Sequence, residues 1–327
     1  MKIQTITRTV LAALLVLTMS SCRQAAPKLS ESVEIAAMKG PTAMGLAQYT
    51  TESLEDQGET PVSYKIMTMP DEVVTDLLQG KLDLACVPAN LAATLYNKSE
   101  GKVQVAALNT LNVLYFATNN VELTDLSQLE GKTIYSTGKG ATPDIILQTL
   151  LAKAGLTIGT DVTIEFRTEA TEVAALLQAE EGAIALLQEP FLSSVTMKND
   201  KIKAQLNVDE LWKQYMGADS QIVTGVLVVR KDFAEANKAW FDQFLLDYKA
   251  SAEWVNQNPA AASKMIETQG IIGAAVAEKA IPNSGITLIS GEAMQKALAP
   301  YLEVLATNNA KLVGGKVPAA DFYYIGK

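Results

Sequence analysis

The sequence predicts an α/β fold of two similar lobes, and three observations predict it. From Val33 to Leu187, short apolar runs of strand type alternate with helical patterns, the grammar of a parallel sheet covered by helices. Landmarks of the first half return in the second at an offset of about 100 residues, which is the mark of an internal repeat. From Lys231 the pattern turns mostly helical. The chain has 327 residues, 48% apolar and 19% charged, enough for two ordinary domains with packed cores.

Taken in order, Val33–Met38 is a strand candidate and Ala43–Gln57 a helix ending at Gly58. Val62–Met67 is a strand; Met69-Pro70-Asp71-Glu72 then opens a helix with proline and acids in its first turn. Leu82–Val87 and Val103–Leu108 are strands around a helix from Pro88 to Tyr96. Leu111–Thr118 is the crossover into the second lobe. There Asp125–Gly131 is a helical turn, Thr133–Ser136 and Val162–Phe166 are strands, and Ile145–Ala154 and Thr171–Ala179 are helices. Ala183–Leu187 is a strand with a helix from Glu189 to about Met197 behind it, and Ile222–Val229 is the return crossover. Phe233–Asn256, Pro259–Thr268, Ala274–Ala280 and Gly291–Leu305 are helices before an irregular tail from Lys311. Phe233, Trp240, Phe244, Leu245, Tyr248 and Trp254 recur at near-helical spacing and are expected to pack on the first lobe. The expected division is residues 33–112 with 226–327 in lobe 1, 113–225 in lobe 2, and a two-strand hinge between them.

The repeat holds residue against residue. Lys39-Gly40-x-Thr42 is echoed by Lys139-Gly140-x-Thr142, and Glu72-Val73 with Leu77-Leu78-Gln79 by Glu172-Val173 with Leu176-Leu177-Gln178. Leu82-Asp83-Leu84-Ala85 before Pro88 is echoed by Ala183-Ile184-Ala185-Leu186 before Pro190. Each Lys-Gly-x-Thr stands between a strand and a helix, where backbone N–H groups, a hydroxyl and a lysine can hold a polar or anionic group.

Met1–Ser21 has the layout of a secretory signal, with Lys2 and Arg8 ahead of the apolar run Val10–Leu17 and small residues after it. Removing it takes two basic residues and no acid, so net charge moves from −9 to −11. Such a chain is ill suited to nucleic acid or anionic membrane, and an anionic ligand would need a local site. There is no histidine and there are only two cysteines, which excludes Ser-His-Asp and Cys-His catalysis, a disulfide framework, and nearly all zinc and haem sites. No cofactor is expected. Cys86 lies in an apolar strand and reads as a buried small hydrophobe.

Met19-Ser20-Ser21-Cys22 resembles the lipobox of bacterial lipoproteins, with Met19 in place of the usual leucine. That resemblance implies lipidation at Cys22 and a tether over residues 22–32, reaching about 30–35 Å when extended. From Val33 to Lys327 the chain resembles the periplasmic-binding-protein-like receptors of ABC importers of the nitrate, sulfonate and taurine type, a group that includes receptors for thiamine-related pyrimidines. The resemblance rests on Ala37–Thr42, Gly138–Pro143, Glu189-Pro190-Phe191, Ile281-Pro282, and the tail Val313–Pro318 with Asp321–Tyr324. It implies a two-lobed receptor, each lobe a mixed sheet flanked by helices, with the C-terminal helices on lobe 1. It also implies closure on a solute that is then passed to a membrane permease and its ATPase. Related pyrimidine-precursor synthases carry a histidine and a cysteine-rich motif, and both are absent here.

In open α/β sheets ligands sit beyond the carboxyl ends of the strands. The candidates are therefore Lys39, Gly40, Pro41, Thr42, Asn90, Asn109, Thr137, Gly138, Lys139, Gly140, Ala141, Thr142, Glu189 and Thr224, with Tyr115 and Phe191 as candidate stacking rings. Glycines let the backbone approach a ligand, or merely shape the turn; Thr142 donates a hydroxyl, or caps a helix ahead of Pro143. Glu189 in the cleft would favour an amine or amidine; otherwise it complements a helix dipole. The reading favours a nitrogen heterocycle or vitamin precursor, with a small sulfonate or oxyanion as the alternative. A rival is an enzyme on the same fold, thiaminase-like or a lyase, for which only Cys86, Glu189 and Asp144 could serve; another is a receptor that presents its ligand to a sensor.

Overall fold

The structure is a computed structural model that describes residues 32–55 and 61–326. The leader, Cys22, most of the tether and the helix end expected at Gly58 lie outside the described residues.

The first lobe begins with strand β1 (Val33–Met38), helices α1 (Pro41–Met44) and α2 (Ala47–Glu55), β2 (Val62–Met67), α3 (Pro70–Leu78), β3 (Leu84–Pro88), α4 (Ala89–Lys98) and β4 (Val103–Thr110). The second comprises β5 (Leu114–Asn119), a 3-10 turn at Leu126–Leu129, β6 (Thr133–Thr137), α5 (Thr142–Lys153), β7 (Thr163–Arg167), α6 (Ala170–Ala179), β8 (Ile184–Gln188), α7 (Phe191–Thr196), β9 (Ile202–Asn207) and α8 (Val208–Met216). The chain returns through β10 (Gly225–Arg230), α9 (Lys231–Ala236), α10 (Lys238–Gln257), α11 (Pro259–Thr268), α12 (Ala274–Ala280), a 3-10 turn at Ile281–Asn283, β11 (Ile286–Ser290) and α13 (Gly291–Asn308), with 3-10 turns at Ala310–Val313 and Ala320–Phe322 in the tail.

One sheet runs β11-β4-β10-β3-β1-β2 and the other β7-β6-β8-β5-β9. Set β6 on β1, β7 on β2 and β8 on β3, and the two have one plan. In each, two parallel pairs flank the first strand, and an antiparallel strand delivered by a crossover follows, β10 in one sheet and β5 in the other. The repeat seen in the sequence is thus a repeat of topology.

Period-2 alternation divides the first sheet between two apolar layers. Ile35, Ala37, Leu84, Cys86, Leu227 and Val229 face α2, α10 and α11, where Phe244 and Tyr248 of the aromatic stripe are buried as expected, beside Phe241. Ala36, Ala85, Val87, Val226 and Val228 face α4 and α13. That second layer continues into the other lobe through Ile145, Ile146 and Leu150 of α5 and Leu211 and Trp212 of α8. Tyr301 of α13 stands edge-on to Trp212, ring centroids 6.3 Å apart. Each large side chain buried here contributes roughly 1.5–3 kcal/mol.

Four expectations change. The helix expected over Phe233–Asn256 is two, α9 and α10, parted at Asn237, whose side chain donates to the Phe233 carbonyl at 3.1 Å. The helix expected over Ala43–Gln57 breaks at Gly45, because Ser251 of α10 enters the turn: its hydroxyl donates to the Gly45 carbonyl at 2.8 Å and accepts from the Tyr49 amide at 3.1 Å. The run Leu111–Thr118 is not one strand. β4 continues to Thr110, where the Thr224 amide donates to its carbonyl, and β5 starts at Leu114. Finally, β9, α8 and β11 were not anticipated; β9 and β11 are outer strands, antiparallel to β5 and β4.

Candidate functional site

The carboxyl ends of β1, β3 and β4 carry the first group of candidates. After β1 the chain turns at Gly40, at φ 128, a conformation that favours glycine, and Pro41 starts α1. Lys39 is exposed. Thr42 is buried, and its hydroxyl donates to the Met38 carbonyl at 2.9 Å, so it braces the corner rather than facing a ligand. Asn109 does not present its amide to the cleft either. It is 2% exposed, and its Nδ2 donates to the Thr42 carbonyl and to the Tyr248 hydroxyl, each at 3.1 Å. Its Oδ1 accepts from the Thr110 hydroxyl at 3.1 Å. Thr224 is half-buried and joins this group through its carbonyl, which accepts from the Ala89 amide at 3.0 Å beside Asn90, the second residue of α4.

The corner between β6 and α5 is built differently. Gly138 and Gly140 have φ 70 and 75, and the Ala141 amide donates to the Gly138 carbonyl at 2.8 Å. The buried Asp144 carboxylate accepts from the Gly140 amide at 2.7 Å and from Gln148 at 2.7 Å, which removes Gly140 as a ligand donor. Among the described residues, the amides of Gly138, Lys139 and Thr142 and the hydroxyls of Thr137 and Thr142 have no hydrogen-bond partner. All sit at the N-terminal end of α5, a 12-residue helix whose dipole is positive there. Lys139 is exposed, its Nζ 5.9 Å from the centre of the Phe166 ring.

Glu189 turns inward. It is 1% exposed, and Ser193 in the first turn of α7 donates to it twice, from its amide and its hydroxyl, each at 3.0 Å. Burial raises its carboxyl above the ordinary range, opposed by the Ser193 hydrogen bonds, Asn283 and Lys279. The Tyr115 hydroxyl donates to the Asn283 carbonyl at 3.0 Å, and burial together with Glu189 pushes it up to about 12. Tyr115 and Phe191 pack partly on the second lobe's core, so each ring has a structural role.

Two cross-lobe contacts bracket these corners. On one side Asn309, just past α13, donates to the Gly140 carbonyl at 3.3 Å. On the other, Tyr115 meets Asn283 beside α12. Tyr248 was expected only as core packing, and Asn309, Asn283 and Ser193 were missed in the sequence. Only Ser193 left a signal, its spacing of four from a glutamate that precedes a helix. Cys86 is fully buried, burial pushing its thiol up to about 11, and is no nucleophile. Among the described residues no acidic or cysteine cluster could hold a metal ion, and no helix is long and apolar enough to cross a membrane.

A family model described as ABC transporter, phosphonate, periplasmic substrate-binding protein matches residues 40–280. No curated protein matches the chain. Among solved structures, an ABC transporter protein from Parabacteroides distasonis is similar at TM-score 0.75 and 23% identity, over 90% of this chain and 99% of that one. The periplasmic aliphatic sulphonate-binding protein SsuA of Escherichia coli is similar at TM-score 0.69 and 15% identity, over 91% and 93%. The periplasmic nitrate-binding protein NrtA of Synechocystis PCC 6803 is similar at TM-score 0.58 and 15% identity, over 90% and 84%. These neighbours share the two-lobed fold, and the family match covers most of the chain. The protein belongs to the phosphonate-type family of periplasmic substrate-binding proteins of ABC transporters.

Proposed function

We propose that the protein captures a small oxyanion, a phosphonate or sulfonate in class, by closing its lobes over the β6–α5 corner. The observation that carries this is the set of three amides and two hydroxyls left without partners at residues 137–142. Amides at a helix N-terminus donate to anions in a field that favours negative charge, and hydroxyls add directional bonds. Lys139 and Lys39 add local positive charge to a chain whose overall charge is negative. Glu189, the residue that would favour an amine or amidine, has its oxygens engaged by Ser193. The family match supports the same ligand class, and the solved neighbours include proteins named for sulphonate and nitrate.

Closure follows from differential contact: the anion meets donors of both lobes only when they approach, so it stabilises the closed state. The apolar layer shared by α5, α8 and α13 serves as the pivot, and residues 111–113 and 221–224, the two crossovers, as the hinge. The closed receptor then passes its solute to the permease and ATPase of an ABC importer. A melting panel of methylphosphonate, inorganic phosphate, sulfate, taurine, nitrate and 4-aminopyrimidine tests the ligand class. A matching anion is expected to stabilise the fold by about 2.7 kcal/mol at a hundredfold excess over Kd. Stabilisation by the aminopyrimidine alone would overturn the reading.

A further inference from the structure

We infer that Tyr248 and Asn109 are positioning residues that fix the ligand-facing corner of the first lobe from inside its core. The inference rests on the reading of the β1–α1 corner as one jaw of the binding site, and it concerns residues that do not touch the cleft. Tyr248 lies in α10 and is fully buried. Its hydroxyl accepts from Asn109 Nδ2 at 3.1 Å, which leaves its own proton for the Cys86 sulfur at 3.5 Å. The second Nδ2 proton of Asn109 goes to the Thr42 carbonyl at 3.1 Å. A polar chain therefore runs Cys86, Tyr248, Asn109, Thr42, from the sheet interior to the turn that carries Lys39 and Gly40.

The amide orientation of Asn109 is forced. Turning it over would set Oδ1 against the Thr42 carbonyl and Nδ2 against the Thr110 hydroxyl, trading a satisfied arrangement for two oxygens in opposition. The site is also closed on its third side. A Cβ on Gly225 would stand 2.4 Å from Thr42 Cγ2 and 2.6 Å from Asn109 Oδ1, so β10 presses on both residues and leaves no room for another arrangement. Besides its own hydroxyl bond to Met38, the Thr42 side chain has no other hydrogen bond among the described residues, and its carbonyl is held by Asn109. With an acceptor lost at residue 248, one Nδ2 proton stays buried and unpaired, and the amide is held to Thr42 by one bond fewer in the chain.

The test compares Tyr248→Phe, Asn109→Ala and the double variant for methylphosphonate binding by calorimetry, with Val255→Ala of the same helix as a packing control. Tyr248→Phe is expected to weaken binding roughly three- to tenfold, the effect of one buried hydrogen bond. Asn109→Ala should weaken it at least as much, and the double variant no more than Asn109→Ala, because the two residues act in series. Val255→Ala should lower Tm and leave affinity unchanged. Hydrogen exchange of the ligand-free protein supplies a second arm: exchange at residues 39–43 should rise alike in both single variants. Unchanged affinity in Tyr248→Phe, additive losses in the double variant, or unchanged exchange at that corner would each overturn the inference. Should the unsubstituted protein not bind methylphosphonate, the ligand class proposed above fails, while the exchange arm still decides the role of Tyr248.

Discussion

Thr137 and Thr142 place two unpartnered hydroxyls at one helix start, and each is expected to contribute a single hydrogen bond to the anion. Thr137→Val and Thr142→Ala should each weaken binding by about three- to tenfold, read by calorimetry, with small changes in Tm. Unchanged affinity in both would remove the hydroxyls from the grip. Glu189 makes a separate claim about pH. Burial raises its folded pKa above the ordinary 4.5, so the folded chain holds this proton more tightly than the unfolded chain. The resulting stability is complete below about 4.5 and is lost as pH rises through the raised value. In denaturant titrations, the stability of the unsubstituted protein relative to Glu189→Gln is therefore expected to fall as pH rises above 4.5. A difference that rose with pH would mean that the hydrogen bonds from Ser193 outweigh burial. At this scale the sequence was informative about residue type and poor about direction. Gly138 and Gly140 announced a turn by their chemistry, whereas Asn109, Thr42 and Glu189 look the same in sequence whether they point to solvent or to a core. Which way each points is decided by Tyr248 and Ser193, partners that only the fold identifies as such.

Among the elements, α10 carries the aromatic stripe into the first lobe's core. Phe244 stacks on Trp240 at 5.3 Å and lies edge-on to Tyr49 at 5.2 Å, fully within the first lobe's core. Phe244→Ala should cost about 3–5 kcal/mol, measurable by chemical unfolding; a loss under about 1 kcal/mol would mean that the core closes over the gap. The stripe was legible because aromatic residues held to a helical period along 20 residues can share one face only if the segment is a helix. The outer strands β9 and β11 were not. Lys201-Ile202-Lys203-Ala204-Gln205-Leu206 does alternate, but an edge strand half open to water carries a weaker signal than a buried one. β11 was masked by helices on both sides. Asn309 belongs to this scale too, since it joins the end of α13 to the second lobe's corner. Asn309→Ala is expected to weaken the closed state, seen by scattering as a larger radius of gyration in saturating ligand; an unchanged radius would make that contact incidental.

Across the whole molecule, the hundred-residue repeat proved to be the most informative feature of the sequence. Two chance-level motifs become evidence when they recur in order, and both sheets have one strand plan with a borrowed antiparallel strand in each. The borrowing itself was only half legible, because residues 111–113 join β4 to β5 with no glycine or proline to mark the break. The predicted lipid anchor makes a claim at this scale as well: Cys22→Ser should move the protein from the membrane fraction to the soluble one, and an unchanged distribution would count against lipidation. The central claim, that residues 137–142 hold the bound anion, is tested most directly by backbone amide NMR of the labelled protein titrated with methylphosphonate. Saturable downfield shifts are expected at Gly138, Lys139 and Thr142, with Gly140 little changed because Asp144 already holds its amide. Saturable binding that leaves those three amides unmoved would contradict it.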